Sequence, residues 1–113
     1  LALANALTDK KGEGILVLDV RDLCSFTEYF VIATGTSARH VRTLADHVQE
    51  TARGFGQRPL GVEGEERAQW VLVDLGDVVV HLFQGEAREY YRLERLWGEA
   101  ESVTPLHAVG AVG

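Results

Sequence analysis

The segment Gln69-Trp70-Val71-Leu72-Val73-Asp74-Leu75-Gly76-Asp77-Val78-Val79-Val80-His81-Leu82-Phe83 carries the clearest hairpin signal in the chain. Gly76-Asp77 is a two-residue turn with glycine in the first central position, and β-branched and aromatic residues run away from it on both sides. A two-residue loop fixes the register. Leu75 faces Val78, Asp74 faces Val79, Val73 faces Val80, Leu72 faces His81, Val71 faces Leu82 and Trp70 faces Phe83. One face of the ribbon then holds Val71, Val73, Leu75, Val78, Val80 and Leu82 and is a core face. The other holds Trp70, Leu72, Asp74, Val79, His81 and Phe83. It places a carboxylate and a large aromatic beside each other on one sheet surface. A strand aspartate needs water or a cation, so this face is expected to be at least partly open and to serve recognition.

Acid gathers around this hairpin. Between Gly61 and Asp77 stand Glu63, Glu65, Glu66, Asp74 and Asp77, against Arg67 alone. The chain as a whole has a formal net charge of -6. That balance opposes general nucleic-acid binding, which needs clustered cations to displace counterions, and favours a basic partner. With 113 residues, 46% hydrophobic and 25% charged, the chain has the size and composition of one soluble domain. A lone cysteine, Cys24, can form no internal disulfide or CxxC metal site, which fits a reducing compartment such as the bacterial cytoplasm or an organelle matrix. No apolar run approaches the roughly 18 residues of a membrane helix.

Upstream, Leu3, Ala6 and Leu7 at helical spacing predict a first helix that stops at Gly12-Glu13-Gly14. Ile15 to Val20 and Tyr29 to Thr34 read as strands, and the short connection between them requires an antiparallel pair. The longest helix is predicted over Ala38 to Phe55, capped by Thr36 or Ser37, with Val41, Leu44, Ala45, Val48, Ala52 and Phe55 as its apolar stripe. A short strand at Leu60 to Val62, returning parallel to the second strand, leads into the acidic loop and hairpin. Glu86 to Trp97 is predicted as a last helix whose Tyr90, Tyr91 and Trp97 pack in a core or dimer contact. The expected order is α-β-β-α-β-β-β-α, a mixed α/β (α+β) domain over 1–98 with a five-stranded mixed sheet and three helices. Residues 99–113 lose periodicity and read as a disordered tail.

Enzyme-like features are few. Gly35-Thr36-Ser37 lies between a strand and a helix, where backbone N–H groups can hold phosphate, and a metal-dependent nucleotidyltransferase would use such a turn. That chemistry also needs two strand carboxylates one residue apart. The nearest pair, Glu63 and Glu65, straddles Gly64 in a loop. The competing reading is a helix cap. His40, His47, His81 and His107 have no companion ligands at convincing spacing, and neither Cys24 nor Ser25, Ser37 or Ser102 has an activating neighbour, so no catalytic residue, metal or cofactor is expected.

Taken together, Leu18-Asp19-Val20-Arg21, Tyr29 to Ser37, Ala45-Asp46-His47-Val48, Pro59 to Gly64, Trp70 to His81 and Tyr91 to Trp97 resemble the Iojap (RsfS) family of ribosomal silencing factors, in order through about Leu3 to Trp97. The resemblance implies a fold shaped like a nucleotidyltransferase without its catalytic carboxylates. It also implies a non-enzymatic translational repressor that binds the large ribosomal subunit through its basic ribosomal protein numbered fourteen and blocks small-subunit joining. Homodimers occur in the family. The partner-facing aromatic corresponds to Trp70, and its acidic, glycine-rich surroundings to Gly61, Glu63, Gly64, Asp74 and Asp77.

Overall fold

A computed structural model describes residues 2–22 and 25–85, together with the backbone of 101–102. Its elements are α1 (Ala2–Asp9), β1 (Glu13–Asp19), β2 (Tyr29–Gly35), α2 (Ala38–Gly54), β3 (Gly61–Glu63), β4 (Trp70–Asp74), β5 (Val78–Gln84) and β6 (Glu101–Ser102). The strands form one sheet in the order β3-β4-β5-β2-β1-β6.

The hairpin forms in the register its turn dictates. Trp70 opposes Phe83, Leu72 opposes His81 and Asp74 opposes Val79, while the Leu75 amide closes the loop on the Val78 carbonyl at 2.9 Å. Gly76 takes a φ of 89°, the left-handed conformation such a turn demands of its first central residue. β1 and β2 pair antiparallel as their short connection requires. The parallel contact lies at the centre, between β2 and β5. β3 does run parallel to β2, but β4 and β5 lie between them.

α1 and α2 lie on the same side of the sheet. Ala4 and Leu7 of α1 and Val41, Leu44, Ala45, Val48 and Ala52 of α2 join Val17, Val31, Val71, Val73, Val80 and Leu82 in one buried cluster. The hydrophobic stripe of α2 is thus spent on the face of the hairpin read as core. Phe55, predicted as the last residue of that stripe, instead lies just past the helix as its C-cap and is 68% exposed.

α2 begins as a capped helix. Ser37 is extended, and its Oγ accepts the His40 amide at 3.0 Å. His40 then ties the helices together: its Nδ1 accepts the Thr36 amide at 2.9 Å and its Nε2 donates to the Lys10 carbonyl at 2.8 Å. Ser37→Ala should therefore cost about 1 kcal/mol in a denaturation experiment, the usual worth of an N-cap.

One expectation changes. A sixth strand, β6, lies in the segment read as a tail and pairs with β1 through Leu18–Ser102 and Asp19–Glu101. Two residues carry no periodicity, so the sequence offered no sign of it. The helix predicted over residues 86–97 lies outside the described residues, as do Cys24, His107 and the rest of 99–113 apart from β6.

Candidate functional site

The second face of the hairpin belongs to a wider surface whose rows follow from strand pairing. Glu63, Leu72, His81, Ile32 and Leu16 form one row, and Gly61, Asp74, Val79, Phe30 and Leu18 form the next. The surface grades from acidic at β3 to apolar at β1. Val79, His81 and Phe83 are buried, joining Leu18, Val20, Phe30 and Ile32, whereas Trp70, Leu72 and Asp74 are only half-buried. Of the hairpin face expected to be open, the β4 residues keep partial exposure and the β5 residues do not. A hairpin read by itself omits its neighbours, and β2 and β1 supply the apolar side chains against which the β5 residues pack.

Trp70 is held rather than loose. Its ring stacks on Phe83 with centroids 5.1 Å apart and planes 28° apart, and its Nε1 donates to His81 Nδ1 at 3.1 Å. That bond fixes the imidazole tautomer, since an acceptor Nδ1 leaves the proton on Nε2. Nε2 is buried without a hydrogen-bond partner, a cost of about 1–3 kcal/mol for an orphaned donor. Phe30 meets the same imidazole edge-on at 4.6 Å. Burial among these rings pushes the His81 pKa down to about 4.

A pH dependence follows. The folded protein resists protonating His81 while the unfolded chain accepts the proton near 6.5, so the stabilising contribution is complete above pH 6.5 and is lost as the pH falls toward 4. Acid titration of the unfolding free energy should show a limb approaching about 1.4 kcal/mol per pH unit in that window, absent in His81→Phe.

The acidic loop between β3 and β4 is ordered from both sides. Arg42 of α2 donates through Nε to the Glu65 carbonyl at 3.0 Å and through Nη2 to the Glu66 carbonyl, the Ala68 amide closes on the Gly64 carbonyl at 2.9 Å, and Gln84 Nε2 reaches the Ala68 carbonyl at 3.2 Å. The backbone is drawn onto the domain while the side chains of Glu65, Glu66 and Arg67 stay exposed. Gly64 makes this path possible. Its φ is 88°, and a Cβ there would lie 2.2 Å from the Trp70 carbonyl oxygen. A shallow groove results, lined by Val62, Gly64, Glu65, Glu66, Arg67, Gln69 and Trp70.

The remaining candidate residues are more dispersed. Glu63 lies beside Leu72, at the edge of the same face. Asp74 sits four strand positions from Trp70, about 13 Å along β4, so the two are not neighbours as the face-by-face reading implied. Part of Asp74's placement is local turn chemistry: its Oδ1 accepts the Gly76 amide at 2.9 Å. Asp77 is exposed at the turn, and its backbone carbonyl accepts the amides of Glu28 and Tyr29. Gly61 has open space around its Cα. In the Leu18 to Arg21 motif the two charges satisfy each other, Arg21 bonding Asp19 through Nε at 3.0 Å and Nη2 at 2.6 Å.

At the Gly35-Thr36-Ser37 turn, the Thr36 amide is taken by His40 Nδ1 and the His40 amide by Ser37 Oγ, two donors that a phosphate would need. Gly35 is required by packing, because a Cβ would come within 2.8 Å of Val41 Cγ2. The turn is built as a cap. Among the described residues no group of three or more His, Cys, Asp or Glu side chains is placed to hold a metal ion, and no helix is long and apolar enough to cross a membrane.

The family model described as "Ribosomal silencing factor during starvation" matches residues 1–111. The chain belongs to this family. A ribosomal silencing factor of Bacillus subtilis is 44% identical over 97 residues, covering 86% of this chain and 82% of its own length. A crystal structure of a Chromobacterium violaceum protein superposes with a TM-score of 0.84 at 44% identity, covering 86% of this chain and 81% of that one. More distantly, the mouse protein named "Mitochondrial assembly of ribosomal large subunit protein 1" is 34% identical over 98 residues, which are 84% of this chain and 43% of the mouse protein.

Within this silencing-factor domain the structure adds residues that a motif reading passed over. Glu65 and Glu66, with Arg67 beside them, line the Trp70 groove, and Asp74 does not. Leu60 is 74% exposed, has its Cδ1 placed 3.6 Å from where a Cβ on Gly76 would stand, and bonds through its amide to the Asp74 carbonyl. His81 is tied to Trp70 directly, and the hint was available: the register assigned both to one face.

Proposed function

We propose that the chain is a ribosome-binding translational repressor of the bacterial cytoplasm that docks on the basic ribosomal protein numbered fourteen of the large subunit and sterically prevents small-subunit joining. The observation that carries this reading is the half-buried Trp70, fixed on a sheet face away from both described helices and bordered by the acidic loop. A central aromatic with a charged surround is the anatomy of a recognition site: the aromatic supplies contact area, and the charges select the partner and speed encounter. Family membership and the large-subunit name of the mouse relative support the choice of partner. Action by occupancy needs no covalent step. The internal use of the Thr36 and His40 amides supports that over a transferase using the same turn.

The test is sedimentation. Added protein should travel with isolated large subunits and lower the fraction that joins small subunits. The double variant Asp74→Asn, Asp77→Asn keeps an acceptor for the Gly76 amide and removes two charges. It should bind about fivefold more weakly and with a flatter salt dependence. An unchanged affinity and salt slope would remove the carboxylates from the proposed site.

A further inference from the structure

Resting on that reading, we infer that His81 is a positioning residue for the docking anchor: it holds the Trp70 indole by its N–H, so the ring meets the partner through carbon and not through a donated hydrogen bond. The structural basis is a mismatch between position 81 and its surroundings. The side chain is 4% exposed, lies in the row between Leu72 and Ile32, and contacts Phe30 edge-on at 4.6 Å. A leucine or phenylalanine would fill such a place without orphaning a polar atom. Histidine leaves Nε2 buried and unpartnered, a disadvantage for folding. What the imidazole supplies and an apolar ring cannot is the Nδ1 acceptor, 3.1 Å from Trp70 Nε1.

The consequence concerns specificity. With the N–H turned into the domain, the partly exposed indole presents hydrocarbon to a partner and not its one donor. The complementary site is then an aliphatic patch, such as lysine and arginine stems or branched side chains among basic groups, and not a phosphate or carbonyl presented to the indole. Holding the ring in one orientation before contact also spares the ordering cost that a free rotamer would incur on binding.

The test uses the full chain and isolated large subunits, and reads affinity, thermal midpoint and solvent exchange of the Trp70 indole N–H. His81→Phe should melt at or above the wild-type temperature at pH 7, yet bind at least about fivefold more weakly, with indole exchange about tenfold faster. His81→Gln, which restores an acceptor, should recover part of the affinity. Replacing Trp70 with β-(3-benzothienyl)alanine, the same shape without the N–H, gives a second measure that leaves His81 untouched, and should weaken binding to a similar degree.

Coupling separates positioning from a general structural role. Added to Trp70→Ala, His81→Phe should change affinity less than about twofold. Equal weakening by His81→Phe with and without Trp70, or wild-type affinity of both His81→Phe and the benzothienyl variant, would overturn the inference while leaving the docking reading in place. Wild-type affinity of Trp70→Ala itself would overturn both.

Discussion

Gly64→Ala is expected to lower the unfolding free energy by about 3 kcal/mol, while Gly61→Ala, three residues earlier, should stay within about 0.5 kcal/mol of wild type. Two terms combine at position 64. A φ of 88° is a region where a Cβ is strained, and the added methyl would sit 2.2 Å from the Trp70 carbonyl oxygen. Backbone cannot yield as the tip of a flexible side chain can. The loop would have to leave the path set by Arg42, and Trp70 would move with it. At Gly61 a Cβ meets nothing within 4 Å, so only a small change in backbone entropy remains. Denaturant midpoints of the two variants, measured side by side, check the contrast. Equal stability of the pair would show that the close approach is not a constraint on the fold.

The second large effect is on binding. Trp70→Ala should weaken association with the large subunit by about 2 kcal/mol or more, roughly thirtyfold, as truncation of a central aromatic anchor does. The variant must first be shown to be folded, because Trp70 also contributes to the monomer: it stacks on Phe83 and supplies the His81 hydrogen bond. Its loss therefore lowers the melting temperature too. Trp70 is only partly buried, however, and the principal core, on the helix-covered side of the sheet, does not include it. A cooperative melt and an unchanged far-ultraviolet spectrum would establish that the binding loss belongs to the surface.

The hairpin was legible because strand chemistry is local. A glycine-led two-residue turn and side chains alternating between faces determine which residues oppose one another, and the observed pairs from Trp70–Phe83 to Asp74–Val79 follow. The Ser37 cap and the stripe from Val41 to Ala52 were readable for the same reason. What could not be read depends on neighbours distant in the chain. The clustering of Val79 and Phe83 with Phe30, Ile32 and Leu18 depends on β2 lying beside β5 and β1 beyond it. The order in the acidic loop comes from Arg42, more than twenty residues away, acting on backbone carbonyls that carry no sequence signature. Gly61 and Gly64 look alike as letters, yet only Gly64 is pressed against another backbone.

The candidate site was partly legible. Trp70 and its acidic setting were visible, but Asp74 lies at the other end of β4 from Trp70, while Glu65 and Glu66, together with Arg67, line the groove that Trp70 shares. Asp74 drew attention because a carboxylate in a strand looks costly. It lies at the last position of β4, where its side chain receives the Gly76 amide, so its presence has a local cause besides any role in recognition.

The most direct test of the central claim, that the acid-bordered indole docks this domain on the large subunit and thereby excludes the small one, is a subunit-joining assay read by sedimentation. Wild-type protein and folded Trp70→Ala would be compared over a range of concentrations with the same purified subunits. Wild type should deplete joined ribosomes as it saturates the large subunit, and Trp70→Ala should need roughly thirty times the concentration for the same depletion. Equal depletion by the two proteins, or saturation of large subunits with no effect on joining, would contradict the account.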